Sequence, residues 1–172
     1  MTLLDAPKYD EAREKRHQVL LYSGAGLLLV VFIGWWLVAG RPVDWPWTWN
    51  NHLHGRAAVN SFLTAVEQND LPRAYGVWTH DQNWQQHPNQ NGAYPFARFQ
   101  QDWSSSSPDN EYGAIQSHRV AASRTYGNSL LVAAFINGRK SKALNLVYDP
   151  KTHTLDFAPP GVEFMEGPGG IS

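Results

Sequence analysis

The run from Val19 to Gly40, VLLYSGAGLLLVVFIGWWLVAG, carries no charged side chain and constrains this chain more than any other feature. At about 1.5 Å per residue a helix over it reaches roughly 33 Å, enough to cross a hydrocarbon core about 30 Å thick. The sequence therefore predicts one transmembrane helix over residues 18–40, between His17 and Arg41. A cleaved secretory signal is the competing reading. Its apolar region would run to about 7–15 residues, and Val38-Ala39-Gly40 matches a small-x-small cleavage site only loosely. Ser23, Gly24, Gly26 and Gly34 would allow close helix approach, but no Gly-x-x-x-Gly pair is completed. With no ionisable group in the run, a proton path or transport role has no support, and the helix reads as an anchor.

Orientation follows from the bases near its ends. Lys8, Arg13, Lys15 and Arg16 precede the helix, whereas only Arg41 and Arg56 lie in the comparable stretch after it. The positive-inside bias then places residues 1–17 in the cytoplasm as a short tail and the remainder outside, on a cytoplasmic (inner) membrane. The four acids of the tail balance its four bases, so the net charge of −1 belongs to the part beyond the helix. A near-neutral domain is a poor partner for nucleic acid, which rewards clustered positive charge. The absence of Cys excludes disulfides, thiol catalysis and cysteine metal sites.

Residues 41–50, RPVDWPWTWN, form a juxtamembrane stalk. Pro42 and Pro46 favour extended backbone, and Trp45, Trp47 and Trp49 continue the indoles of Trp35 and Trp36. Amphipathic indoles settle at the headgroup level, so these five residues are expected at the membrane interface; a partner-binding Trp strip is the alternative.

About 120 residues follow, enough for one domain with a real core. Ala58, Val59, Phe62, Ala65 and Val66 share a helical stripe within residues 54–68. Asn69 suits a left-handed helix end, and Asp70 caps a second helix that tolerates Pro72 and repeats Leu71, Ala74, Tyr75 and Trp78. Residues 81–94 are rich in Asn and Gln and read as a long surface loop. Phe96, Phe99 and Trp103 mark a third short helix, closed by a serine-rich loop. Strands are expected over residues 113–124, 129–136, 142–148 and 152–157, the second of them central, joined by turns at Gly127-Asn128, Asn137-Gly138 and Asp149-Pro150 as an antiparallel meander. Residues 159–172, rich in Gly and Pro, read as a flexible tail.

The helix pair FLTAVEQNDLPRAY over residues 62–75, a third helix with Phe99 and Trp103, and the following sheet resemble the nuclear transport factor 2-like (cystatin-like) superfamily over residues 52–158. The resemblance implies an α+β cone, about three helices on a bent antiparallel sheet of about four strands, often with an internal pocket. The superfamily includes isomerases, dehydratases and hydrolases alongside noncatalytic domains. Membrane-anchored members, including an assembly component of type IV secretion systems, resemble this layout of inner tail, single span and outer domain. Fold alone does not give function.

Tyr75, Trp78, His80, Phe99 and Trp103 are the candidate pocket-lining residues; an aromatic helix–sheet core is the plainer reading of them. His80-Asp81 is a conceivable base and orienter, although adjacent side chains seldom face each other. His52-x-His54 with His87 or His118 is a weak pattern for a metal. Arg139, Lys140 and Lys142 sit at a hairpin and suit a solvated turn, an acidic partner or lipid headgroups. No reacting constellation emerges, so the expectation is a noncatalytic interaction or ligand-sensing module without cofactor or metal. Its partners are the lipid bilayer and another membrane or envelope protein. A tethered enzyme or small-molecule carrier using the cone is the alternative.

Overall fold

A computed structural model describes residues 11–87, 92–162 and 164. The chain forms two compact units, residues 1–38 and residues 39–172. The first contains helix α1, Glu11–Val38. From Ala12 to Val38 this helix is long and apolar enough to cross a membrane, and none of its most apolar window is buried in protein. The helical backbone starts ahead of the apolar run and stops two residues short of Gly40. Gly40 and Arg41 break it with left-handed φ values of 89° and 56°, and Ala39 is already buried in the second unit. Most of the tail expected over residues 1–17 lies outside the described residues.

The second unit is α+β: helices α2 (Trp49–Glu67), α3 (Leu71–Trp78) and α4 (Phe96–Trp103), then one four-stranded antiparallel sheet. The strands β1 (His118–Tyr126), β2 (Ser129–Ile136), β3 (Arg139–Tyr148) and β4 (Leu155–Phe157) follow in spatial order, the expected meander. Helix α2 begins earlier than its apolar stripe suggests, because a short 3-10 turn over Pro46–Thr48 leads into it. That turn replaces part of the extended stalk.

The α2–α3 join shows how local chemistry sets the path. Asn69 takes φ 55°, its N–H bonds Val66 O and the Asp70 N–H bonds Ala65 O, both at 2.9 Å, a Schellman closure. The Asp70 carboxylate then accepts from Arg73 N at 3.1 Å and starts α3, with Pro72 in the first turn, where its missing N–H costs nothing. Helix α3 ends the same way with His80 as the left-handed residue, at φ 54°, and Asp81 N bonded to Gly76 O at 3.0 Å.

Val59, Phe62, Ala65 and Val66 of the predicted stripe are buried, together with Leu63; Ala58 is partly covered. Against them lie Leu130, Val132, Ala134 and Ile136 of β2 and Leu144, Leu146 and Tyr148 of β3. Strand β2 is buried along nearly its whole length, as its continuous apolar run requires. The helix comes very close to the sheet at Gly55. A Cβ there would meet Leu130 Cδ2 at 2.6 Å and the Tyr148 ring at 3.0 Å.

Two strands are shorter or later than expected. Residues 113–117 lie outside β1, because the Asn137 side chain takes backbone groups of residues 114–117: Gln116 N and Ser117 N donate to its Oδ1, and its Nδ2 donates to Ala114 O. Asn137 and Gly138 otherwise make the tight turn read from the sequence, both with positive φ. Strand β4 loses residues 152–154 to the Asp149 turn, in which Asp149 N bonds Thr154 O at 3.0 Å and His153 is left-handed. The Asn/Gln-rich loop, whose residues 88–91 lie outside the described ones, is less plain than its composition. Trp84 opens a 3-10 turn, donates to Pro72 O at 3.0 Å and packs on Tyr75 and Phe96. The serine-rich loop closes on Asn110, which is buried; its amide donates to Ser104 O and Gly113 O and accepts from Tyr112 N.

Two substitutions test this packing. Phe62→Ala, which removes the central ring, should lower unfolding free energy by about 3–5 kcal/mol. Gly55→Ala should cost about 1–3 kcal/mol, because Leu130 and Tyr148 are themselves buried and cannot give way. Denaturant unfolding followed by Trp fluorescence measures both.

Candidate functional site

The predicted pocket residues converge, but on one another. Phe62 packs against Trp78, Phe99 and Trp103 with centroids 5.3, 6.1 and 4.7 Å away, the last two edge-on. Tyr75 meets Phe99 at 5.1 Å and Phe96 at 5.3 Å. Trp78 and Trp103 also reach Phe157 of β4, Trp103 stacking at 5.9 Å with the planes 5° apart. Tyr75, Trp78, Phe99 and Trp103 are each at most 4% exposed. Tyr75 Oη is spent on Tyr94 O at 2.8 Å. His80 stands apart on the surface, its ring 5.1 Å from that of His153.

A cleft of about 930 Å³ opens beside this cluster and shares only Trp103 with the five candidates. Its first wall is α4 and the loop after it, with Arg98, Asp102, Glu111 and Tyr112. The other wall is the segment from Ala158 to Val162 together with Phe164. Between them lies β3, lined by every residue from Lys140 to Asn145 and so by both alternations, as expected where a cleft follows a strand edge rather than covering a sheet face. Residues 159–162 of the expected flexible tail thus form part of a wall; 163 and 165–172 lie outside the described residues.

Ion pairs line the rim: Arg98 with Asp102 at 2.9 Å, and Lys142 with Glu111 at 2.6 Å. Asp102 also accepts from Tyr94 Oη at 2.8 Å. Burial first, then this carboxylate, pushes the Tyr94 hydroxyl pKa far up, which keeps it a donor. Trp103 Nε1 opposes this shift of Tyr94 but closes no well-formed hydrogen bond, and Asn145 Oδ1 likewise has no partner among the described residues. A buried polar atom left unpaired costs about 1–3 kcal/mol. Both of these residues line the cleft.

A second polar cluster sits at the start of the unit. Asp44 Oδ2 accepts from Thr125 Oγ1 at 2.7 Å and Thr125 N at 3.2 Å, and lies 2.9 Å from His52 Nε2. His52 Nδ1 in turn lies 2.8 Å from Ser123 Oγ. The Asp44 carbonyl accepts the Trp49 indole N–H at 2.9 Å. Trp49 is consequently buried in the protein, unlike Trp45 and Trp47, which stack 5.0 Å apart and stay 69% and 73% exposed. Trp35 and Trp36 lie in the last turns of α1. The order serine, histidine, carboxylate is that of a nucleophile relay. His52, however, is completely buried, and the Asp44 carboxylate is shared with Thr125, which ties the chain before α2 to β1.

Charge follows from these contacts. Burial pushes the His52 pKa below its ordinary value, outweighing the Asp44 contact. For Asp44, burial alone would raise the pKa, but the Thr125 and His52 hydrogen bonds overcome it and hold the carboxyl low.

The other histidines have their own partners. His118 lies 2.6 Å from Glu67 Oε1 and 3.1 Å from Asn60 Oδ1, and His87 lies 3.1 Å from Asp81 Oδ2. His54 is 6.3 Å from His153, ring to ring, not beside His52 in a shared ligand set. Among the described residues no three His, Cys, Asp or Glu side chains are placed to hold a metal ion. No family model, curated protein or solved structure matches the chain.

Acid should loosen this unit through His52. The folded state holds it neutral below its ordinary pKa of about 6.5, so the unfolded chain binds more protons there and stability falls as pH drops from 7.5 toward 5. Asp44 acts in the same direction at lower pH. His52→Asn should flatten the upper part of that profile in urea titrations of the full chain; an unchanged slope would assign the titration to another histidine. Asp44→Ala, which strands Thr125 N and His52 Nε2, should cost about 1–3 kcal/mol at pH 7.5.

Proposed function

We propose that the protein is a membrane-anchored interaction module, an accessory subunit of an envelope assembly that captures a partner polypeptide at the cleft between α4 and β3. One observation carries the reading: the interior is filled by Phe62, Trp78, Phe99 and Trp103, while an open cleft runs along a strand edge, and two of its lining residues hold buried polar atoms without a hydrogen-bond partner among the described residues. A filled interior leaves no space for a substrate among these rings, and of the four only Trp103 also borders the cleft.

In this reading α1 is the anchor, with its N-terminus in the cytoplasm and the folded unit outside, on the inner membrane. The excess of bases before the helix supports that orientation. The exposed, stacked Trp45 and Trp47, which follow it in the chain, support a headgroup-level seat. The order of helices and sheet supports nuclear transport factor 2-like architecture.

A tethered enzyme is the second reading, and the Ser123–His52–Asp44 sequence of contacts is what favours it. A relay histidine must exchange its proton with a substrate-side group, and a fully buried His52 bonded on both nitrogens has no such face.

Purification of the full chain in mild detergent tests the proposal. A partner should co-purify at fixed stoichiometry. Its recovery should fall severalfold in a Lys140→Glu, Lys142→Glu double variant whose unfolding profile is unchanged. A chain that elutes alone under all gentle conditions would sink the accessory role.

A further inference from the structure

Strand β4 pairs with β3 only from Leu146 to Tyr148, and the last bond beyond it is Ala158 N to Asn145 O at 3.3 Å. From Arg139 to Leu144 the outer edge of β3 has no strand partner among the described residues. On the inner side the ladder also departs from register. Ala134 pairs with Leu144 and Ile136 with Arg139, so residues 140–143 bow out opposite Phe135 alone. The cleft is the space in which β4, continued, would lie.

We infer that this edge accepts an extended, acidic segment of the partner as an added strand, a proposal that rests on the interaction reading. Four observations carry it. The slot borders both alternations of β3, as an incoming strand requires. Exposed N–H and C=O groups of a strand edge are a template for another chain. Among the described residues Trp103 Nε1 is a buried donor and Asn145 Oδ1 a buried acceptor without a well-formed hydrogen bond, the complement of a peptide C=O and N–H. Finally, Arg139 and Lys140 are exposed cations with no ion pair among the described residues, whereas each of the three acids of the rim has a cation: Asp102 and Asp109 share Arg98, and Glu111 holds Lys142. The unpaired charge at the edge is therefore positive and selects a negative strand.

Edge lysines and a bulge are also how proteins discourage indiscriminate pairing. That role accounts for Lys140 and the bowed segment. It does not account for a slot with unsatisfied groups in its wall and floor.

The test uses the full chain in detergent micelles and a fluorescein-labelled octapeptide alternating Val and Glu, read by fluorescence anisotropy at low salt. The peptide should bind at least about tenfold more tightly than its Val/Lys counterpart, Lys140→Glu should reverse that order, and N-methylation of alternate backbone amides should abolish binding. Ser141→Pro, which removes one edge N–H, should weaken it severalfold. Equal binding of the N-methylated peptide, or no charge preference, would overturn strand addition. Binding that appears only after residues 165–172 are removed would assign the edge to the chain's own terminal segment and overturn it too. If no peptide binds while a co-purifying partner survives Ser141→Pro, the interaction reading stands and this inference falls. If neither peptide nor partner binds, both fall.

Discussion

The second unit depends on the interlock of Phe62 from α2, Trp78 from α3, Phe99 and Trp103 from α4, and Phe157 from β4. Large rings bury much apolar surface each, and tilted or edge-on contacts add roughly 0.5–1.5 kcal/mol per pair beyond that burial. Helices α3 and α4 have only eight residues apiece, too few to be stable by themselves. The rings hold them against α2 and the sheet. Filling the interior this way also moves any binding capacity outward, because the space a ligand would use is occupied by the groups that stabilise the fold.

The carboxylate of Asp44 does at the other end what the rings do in the middle. It lies between the Pro-rich approach and α2, yet bonds Thr125 on β1, a residue 81 positions later. One oxygen serves Thr125 and lies against His52, while the backbone carbonyl of the same residue holds Trp49. Loop closure over so long a separation is costly, so a hydrogen-bonded carboxylate that fixes the first residues of the unit removes a large part of their freedom. The depressed pKa values of Asp44 and His52 are the electrostatic record of that arrangement, and both make it a near-neutral-pH device.

How far the sequence was legible follows the distance over which each determinant acts. The α2–α3 join was readable because Asn69, Asp70 and Pro72 do their work within a few residues. Strand β2 and its turn were readable because a continuous apolar run followed by Asn-Gly has one common solution. Strand ends were not, since the Asn137 side chain, more than twenty residues away, decides that residues 114–117 stay out of the ladder. Trp49 looked like its neighbours Trp45 and Trp47, and only the long-range fixing of Asp44 shows why it turns inward. Asn110, hidden in a serine-rich stretch, and Asn145, inside an alternating strand, carried no local signal of burial or of a missing partner. The long apolar helix and the aromatic helices were visible by composition; whether the rings line a pocket or fill it is a matter of tertiary packing, in which Phe157 comes against Trp78 and Trp103.

The two edges of the sheet are treated differently, and that difference gives the cleft its meaning. At β1 the backbone is covered: Asp44 takes Thr125 N, and Arg56 donates to Val120 O at 3.3 Å. Both groups come from the chain near the start of the unit, so closing this edge and fixing the segment before α2 are one act. At β3 the pairing among the described residues ends after three residues of β4, and the segment from Ala158 to Val162 borders a cleft where a longer strand would cost nothing in topology. A fold that only needed stability would extend β4, pair the edge and satisfy Asn145. The stability forgone there is what an incoming strand would recover, so the edge left unpaired among the described residues is also the edge where the proposed binding would have most to gain.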